Sequence, residues 1–133
     1  MLDQQYVISE LTRNMSVFEK LLEGTSREVY TWKHAPDKWC MLEMLCHLVD
    51  EEIEDFRARV QHVLSTPDKD ADPIDPHGWV SERKYMEQDF DKVLSRFLEE
   101  RQRSIDWLKT ALTFNTGEFK LTAHQCHYLL AYC

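Results

Sequence analysis

Glycine and proline are scarce in this chain, three and four in 133 residues. That leaves little material for tight turns and disfavours an all-β fold. No apolar run approaches the length of a membrane-spanning helix. The amino terminus, "MLDQQYVISELTRN", lacks the basic and then apolar regions of a secretory signal. The four cysteines, Cys40, Cys46, Cys126 and Cys133, form no Cys-x-x-Cys pair. Their spacing fits a reduced, cytoplasmic protein whose thiols fill core and helix surface. Basic residues are also outnumbered, with a net charge of −8. The basic face that gives a duplex-binding domain most of its affinity is missing. Neither a membrane nor a nucleic acid is expected as a partner.

What is present is amphipathic helix. Apolar residues make up 43% of the chain, enough for one globular domain spanning 1–133. From about Leu2 to Glu23, Val7, Leu11, Met15, Phe18 and Leu22 recur at steps of three and four. Gly24 and Thr25 close that helix. The stretch "SREVYTWKHAPDKW" reads as a connection, because Pro36 excludes a helix interior. A second helix runs from Met41 to about Ser65, with Met41, Met44, Leu45, Leu48, Phe56, Val60 and Val63 as its apolar positions. "STPDKDADPIDPHGW" reads as a long loop. Ser81 is the expected N-cap of a third helix carrying Met86, Phe90, Val93, Leu94, Phe97, Ile105, Leu108 and Leu112. At about 30 residues it would span about 45 Å. "TFNTGEFK" breaks it, and a fourth helix begins near Leu121. Four such segments in series predict an all-α fold, an up-and-down four-helix bundle.

In a bundle, sites are built from polar residues that interrupt the apolar stripes. At about 100° per residue, Glu52 and Arg59 fall on one line with Leu45, Leu48 and Phe56. Arg101 falls between Phe97 and Leu108 in the same way. A lone buried charge is costly, so Glu52 is expected to pair with Arg101 or Arg59. Such a pair would either fix helix register or form a half-buried clamp for an anionic substrate group. His47 sits at the edge of its stripe, with Glu51 one turn on. It reads as a metal ligand, a general base or a half-exposed surface residue. His124 and His127, three apart, share a face of the last segment. Three histidines on two helices make an acceptable metal set with positions open for water or substrate. Histidine-rich donors would favour Ni, Cu or Zn over Mg.

The stretch "DKWCMLEMLCHLVDEEIEDFRARV" resembles the second helix of the DinB-like family of helical bundles. Trp39, Met41, Leu45, His47, Leu48, Asp50, Glu52, Phe56 and Arg59 match in order and spacing. Trp79, Tyr85, Phe97 and Arg101 stand where the family's third helix has their counterparts, and "TGEFKLTAHQCHYLLAYC" looks like the entry to its last helix. The resemblance covers most of the chain from Trp32 onward. It implies a four-helix bundle, often a homodimer, binding a divalent metal through three histidines, of which His47 matches the first. It also implies relatives that act as S-transferases with small thiols such as bacillithiol or mycothiol. The family name refers to DNA-damage induction and does not imply DNA binding.

Two departures stand out. Cys40 takes the place of a Ser that caps the second helix, although Glu43 supplies the other half of the capping box. The family's His-x-x-x-His pair, counted from Gly117 and Leu121, would fall just beyond Cys133. His124 and His127 come early and are spaced by three. The last helix is therefore expected to be cut short, before two of the three ligands. A shortened product, a natural short form without the metal site, and replacement by His124 and His127 all fit. An uncapped apolar end would leave carbonyls unpaired and an apolar patch exposed, which a homodimer would cover. Two function classes follow. One is a divalent-metal-dependent transferase or hydrolase acting on a small thiol or electrophile, with Zn or Ni at His47 and with Glu52, Arg59 and Arg101 shaping the substrate pocket. The other is a non-catalytic dimerising module. No catalytic nucleophile can be singled out.

Overall fold

The computed structural model describes residues 4–66, 68–71 and 73–111, and every regular element among them is helical. Helix α1 spans Gln4–Leu22. It ends where Gly24 adopts a left-handed φ of 72°, a conformation a side chain would resist. The connection that follows holds one helical turn, α2 (Arg27–Tyr30). Its Tyr30 stacks flat on Phe90, ring centroids 4.4 Å apart.

The second long helix is continuous but not uniform. It runs as α3 (Met41–Asp50), a π-helical stretch π1 (Glu51–Arg57) and α4 (Ala58–Ser65). Its start behaves as the capping-box reading expects. The Glu43 carboxylate accepts from the Cys40 backbone N–H at 2.9 Å and holds Lys33 at 2.7 Å. The Cys40 thiol lies 3.4 Å from the Met86 sulfur. Met44, assigned to the apolar stripe, instead points outward and is 55% exposed.

The crossing to the next long helix is more ordered than a plain loop. Asp75 caps a short helix α5 (Pro76–Glu82) by accepting from the Gly78 N–H, with Pro76 in the first turn. Lys84 takes a left-handed φ of 50°, and a 3-10 turn over Tyr85–Glu87 follows. Ser81 is therefore inside α5 and does not cap the third long helix. That helix, α6, spans Phe90–Ala111, and Asp89 accepts from the Lys92 N–H at its start. Met86 lies before α6 and is exposed. The mixed apolar signal from 79 to 89 came from the crossing's own buried anchors, Trp79 and Tyr85.

Helix α6 packs against α1, α3 and π1. The core between them is Leu42, Leu45, Cys46 and Val49 of α3 with Phe90, Val93, Leu94 and Phe97 of α6, closed by Leu22 of α1. Phe97 is fully buried and meets Phe18 edge to face at 5.1 Å. Truncating such a ring typically costs about 3–5 kcal/mol. No described helix is long and apolar enough to cross a membrane. The expected fourth helix, with its early stop and apolar patch, lies outside the described residues.

Candidate functional site

Two buried polar systems share the second long helix. The first begins at His47, one turn before π1. Its side chain is 21% exposed, and Nε2 lies 3.5 Å from Glu51 Oε1. The other ring nitrogen, Nδ1, is buried without a hydrogen-bond partner among the described residues. Trp39 packs edge-on against the imidazole at 4.9 Å and also meets His77 of α5 at 5.4 Å. Burial pushes the His47 pKa down, and the neighbouring His77 adds to this against the pull of Asp50 and Asp55. The imidazole is thus neutral at neutral pH, with a lone pair to offer.

Glu51 is the next member. Burial raises its pKa to about 7, and the charge and hydrogen bond of Asp55 reinforce that, while Arg59 opposes it. Asp55 in turn is ion-paired to Arg59. Glu51 and Asp55 are both almost fully buried. Sequence reasoning placed Arg59 in the centre of the apolar stripe beside Glu52. The structure moves it onto Asp55, because π1 changes the angular step on which that placement depended.

The second system is the expected partnership of Glu52 with Arg101. Arg101 Nε approaches Glu52 Oε2 at 2.8 Å, and both side chains are at most 4% exposed. The approach is off-axis, so neither atom makes an aligned hydrogen bond among the described residues. The guanidinium also lies over the Phe97 ring at 5.3 Å. Beside this pair is a cleft of about 40 Å³ between α1, π1, α4 and α6, walled by Leu11, Phe56, Val60 and Leu108. It is large enough for water. Arg57, which the sequence did not single out, reaches the same cleft and bonds Glu100 at 2.7 Å. Glu52 and Arg101 are thus brought together, while Arg59 stands with the other system.

A third cluster ties the crossing to the end of α3. Asp50 accepts from the Tyr85 hydroxyl at 2.6 Å and pairs with Arg83 at 2.8 Å. Arg83 also holds Glu54 at 2.7 Å and covers the Trp79 ring. The two described cysteines are poor nucleophiles. Both are buried free thiols. Burial raises the pKa of Cys40, and that of Cys46 to about 12, with Asp50 adding to the latter.

His47 Nδ1 fits a metal ligand: a neutral, buried nitrogen without a partner among the described residues. The remainder of a donor set does not stand beside it there. Among the described residues no group of three or more His, Cys, Asp or Glu side chains is placed to hold an ion. His124 and His127 lie outside the described residues. Asp55, Arg57 and His77 were missed from the sequence. The repeated step of four through His47, Glu51, Asp55 and Arg59 was the signal that could have found Asp55.

The family model of the DinB superfamily matches residues 10–131. No curated protein and no solved structure matches the chain. The matched span covers nearly the whole sequence, and the chain belongs to the DinB superfamily.

Proposed function

We propose that this member of the DinB superfamily is a divalent-metal-dependent transferase or hydrolase acting on a small thiol or electrophile, with His47 as a metal ligand. The observation that carries the reading is the buried Nδ1 of His47, which has no partner among the described residues. A buried nitrogen left unpaired is costly unless something occupies it. Zn or Ni is the ion such a donor prefers. When bound, the metal would lower the pKa of a thiol or water and hold it as a nucleophile. The chain's own residues do the rest. His47 donates its lone pair, Glu51 faces the far side of its ring, and Trp39 walls the imidazole. Cys40 and Cys46 are held as thiols by burial, so neither of these two described cysteines supplies the nucleophile, and in this reading the nucleophilic sulfur is that of the small-molecule substrate. Glu52 and Arg101 line the cleft that we assign to the substrate, and Arg59 supports the histidine side.

The four-helix bundle, with the last segment beginning near Leu121, and a homodimer belong to this proposal. His124 and His127 are the alternative candidates within this chain for completing the ligand set. The second reading is a non-catalytic dimerising module. It is favoured by the absence of a three-donor group among the described residues and by Val17 and Leu21, one turn apart and exposed on α1.

Elemental analysis and calorimetric titration with Zn and Ni, on protein purified without chelator or histidine tag, test the two. The catalytic reading expects about one equivalent per chain, lost in His47→Ala. No metal after reconstitution would leave the dimerising module.

A further inference from the structure

The residues 47, 51, 55 and 59 are four apart and interact in sequence. His47 Nε2 faces Glu51, the Glu51 carboxyl hydrogen-bonds Asp55, and Asp55 is ion-paired to Arg59. In an α-helix each step of four overshoots a full turn by about 40°, so a row of four residues winds through about 120°. The π stretch lies across the middle of this row. Its turn is wider, closed by i→i+5 bonds, so the same step falls short of a full turn and offsets the drift. Four side chains can then follow one line along the helix. The middle two are buried, and the ends are more open, at 21% for His47 and 36% for Arg59.

We propose that π1 builds a polar row, Arg59–Asp55–Glu51, which acts as a positioning device that fixes His47 as the Nε2–H tautomer and presents Nδ1 as its donor atom. As an account of a tautomer this stands on the geometry alone; as an account of metal support it rests on the function proposed above. The direction of the row decides the nitrogen. Glu51 Oε1 is the acceptor next to Nε2, so the ring proton belongs there and the lone pair belongs on Nδ1. The 3.5 Å separation is longer than an ordinary hydrogen bond. Contacts of this kind often tighten when a site is filled. The carboxylate behind a ligating histidine sets both ring orientation and basicity. Here that carboxylate is itself held by a second carboxylate and a guanidinium, so the support extends three turns along one helix.

The test is nitrogen-15 spectroscopy of the histidine side chains in the full, metal-free chain, with His47 assigned by comparison with His47→Gln. The proposal expects the Nε2–H tautomer in the wild type and a mixed population in Glu51→Ala. Asp55→Asn, which keeps the side chain's size, is expected to shift the population partway. An Nδ1–H tautomer in the wild type would overturn the row, and so would an unchanged population in a folded Glu51→Ala. If Glu51→Ala does not fold, Glu51→Leu and Asp55→Asn together carry the same comparison. Zinc titration separates the two ideas. Where zinc binds, Glu51→Ala should weaken it by about 10–100-fold. A chain that takes no zinc but shows the Nε2–H tautomer keeps the row and removes the metal reading. A chain that binds zinc through an Nδ1–H ring does the opposite.

Discussion

Glu51 and Glu52 are neighbours in sequence, both buried on the same π stretch, and they belong to opposite kinds of structure. Glu52 faces Arg101 across the helix interface, and the two charges balance. Glu51 faces its own helix, between a neutral histidine and another carboxyl group. The first arrangement is an ion pair, with each charge answered by the other, although neither Glu52 Oε2 nor Arg101 Nε makes an aligned hydrogen bond among the described residues. The second is open at the His47 end, where Nδ1 has no partner among the described residues. Burial alone therefore does not distinguish a carboxyl group answered by an opposite charge from one that is not. What distinguishes them is the partner each one meets.

The largest effect should come from breaking the ion pair. Arg101→Leu leaves the Glu52 carboxylate buried and unanswered, and should cost about 3–5 kcal/mol of unfolding free energy in chemical denaturation. Adding Glu52→Leu should recover most of that loss, because a well-packed apolar pair can replace a buried ion pair. A double variant as unstable as the single one would mean that the pair does more than balance charge.

The Glu51 system should respond to pH instead. Its folded pKa is raised to about 7 from the ordinary 4.5. Its favourable contribution is complete below pH 4.5 and is lost as pH rises through 7. In metal-free protein, Glu51→Gln should remove this loss, so the variant gains on the wild type between pH 5 and 8. Parallel stability curves across that window would contradict the assignment. His47 has the opposite sign: its lowered pKa makes it favour the fold at higher pH. The difference between Glu51→Gln and wild type isolates the carboxyl group from it.

Removing the open end should matter less to the fold. His47→Ala is expected to lose metal binding while changing the unfolding free energy by about 1 kcal/mol, since only a half-buried ring and its contact with Trp39 are lost. Arg59→Ala should be smaller still, below about 1 kcal/mol, because its ion pair is partly exposed and screened. A larger loss at Arg59 than at Arg101 would reverse the distinction between the two systems.

Much of this arrangement was legible in the residues. The end of α1 and the start of the second long helix followed from apolar spacing, Gly24 and the Glu43 cap. The Glu52–Arg101 pair followed from two charges in two apolar stripes. The π stretch was not legible, because a fixed step of about 100° per residue assumes an unbroken α-helix. That assumption held for Glu52, close to the α3 end, and failed for Arg59, on its far side. The start of α6 was misread because Ser81 and Asp89 both have capping side chains. Only the docking of Trp79 and Tyr85 decides between them. The other two expected metal ligands, His124 and His127, lie outside the described residues.

A π stretch also carries a consequence for insertions and deletions. Such a stretch holds more residues than the α-helical turn it replaces. Deleting one residue between 51 and 57 need not break the helix; it can let the stretch relax into ordinary α geometry. The chain beyond would then keep nearly its former face, because the shorter α path covers about the same rotation as the longer π path. The same deletion within α3 or α4 would instead turn the chain beyond it by about 100°. The second long helix therefore has one stretch where it can lose a residue and stay in phase, and that stretch is the one carrying Glu51, Glu52 and Asp55.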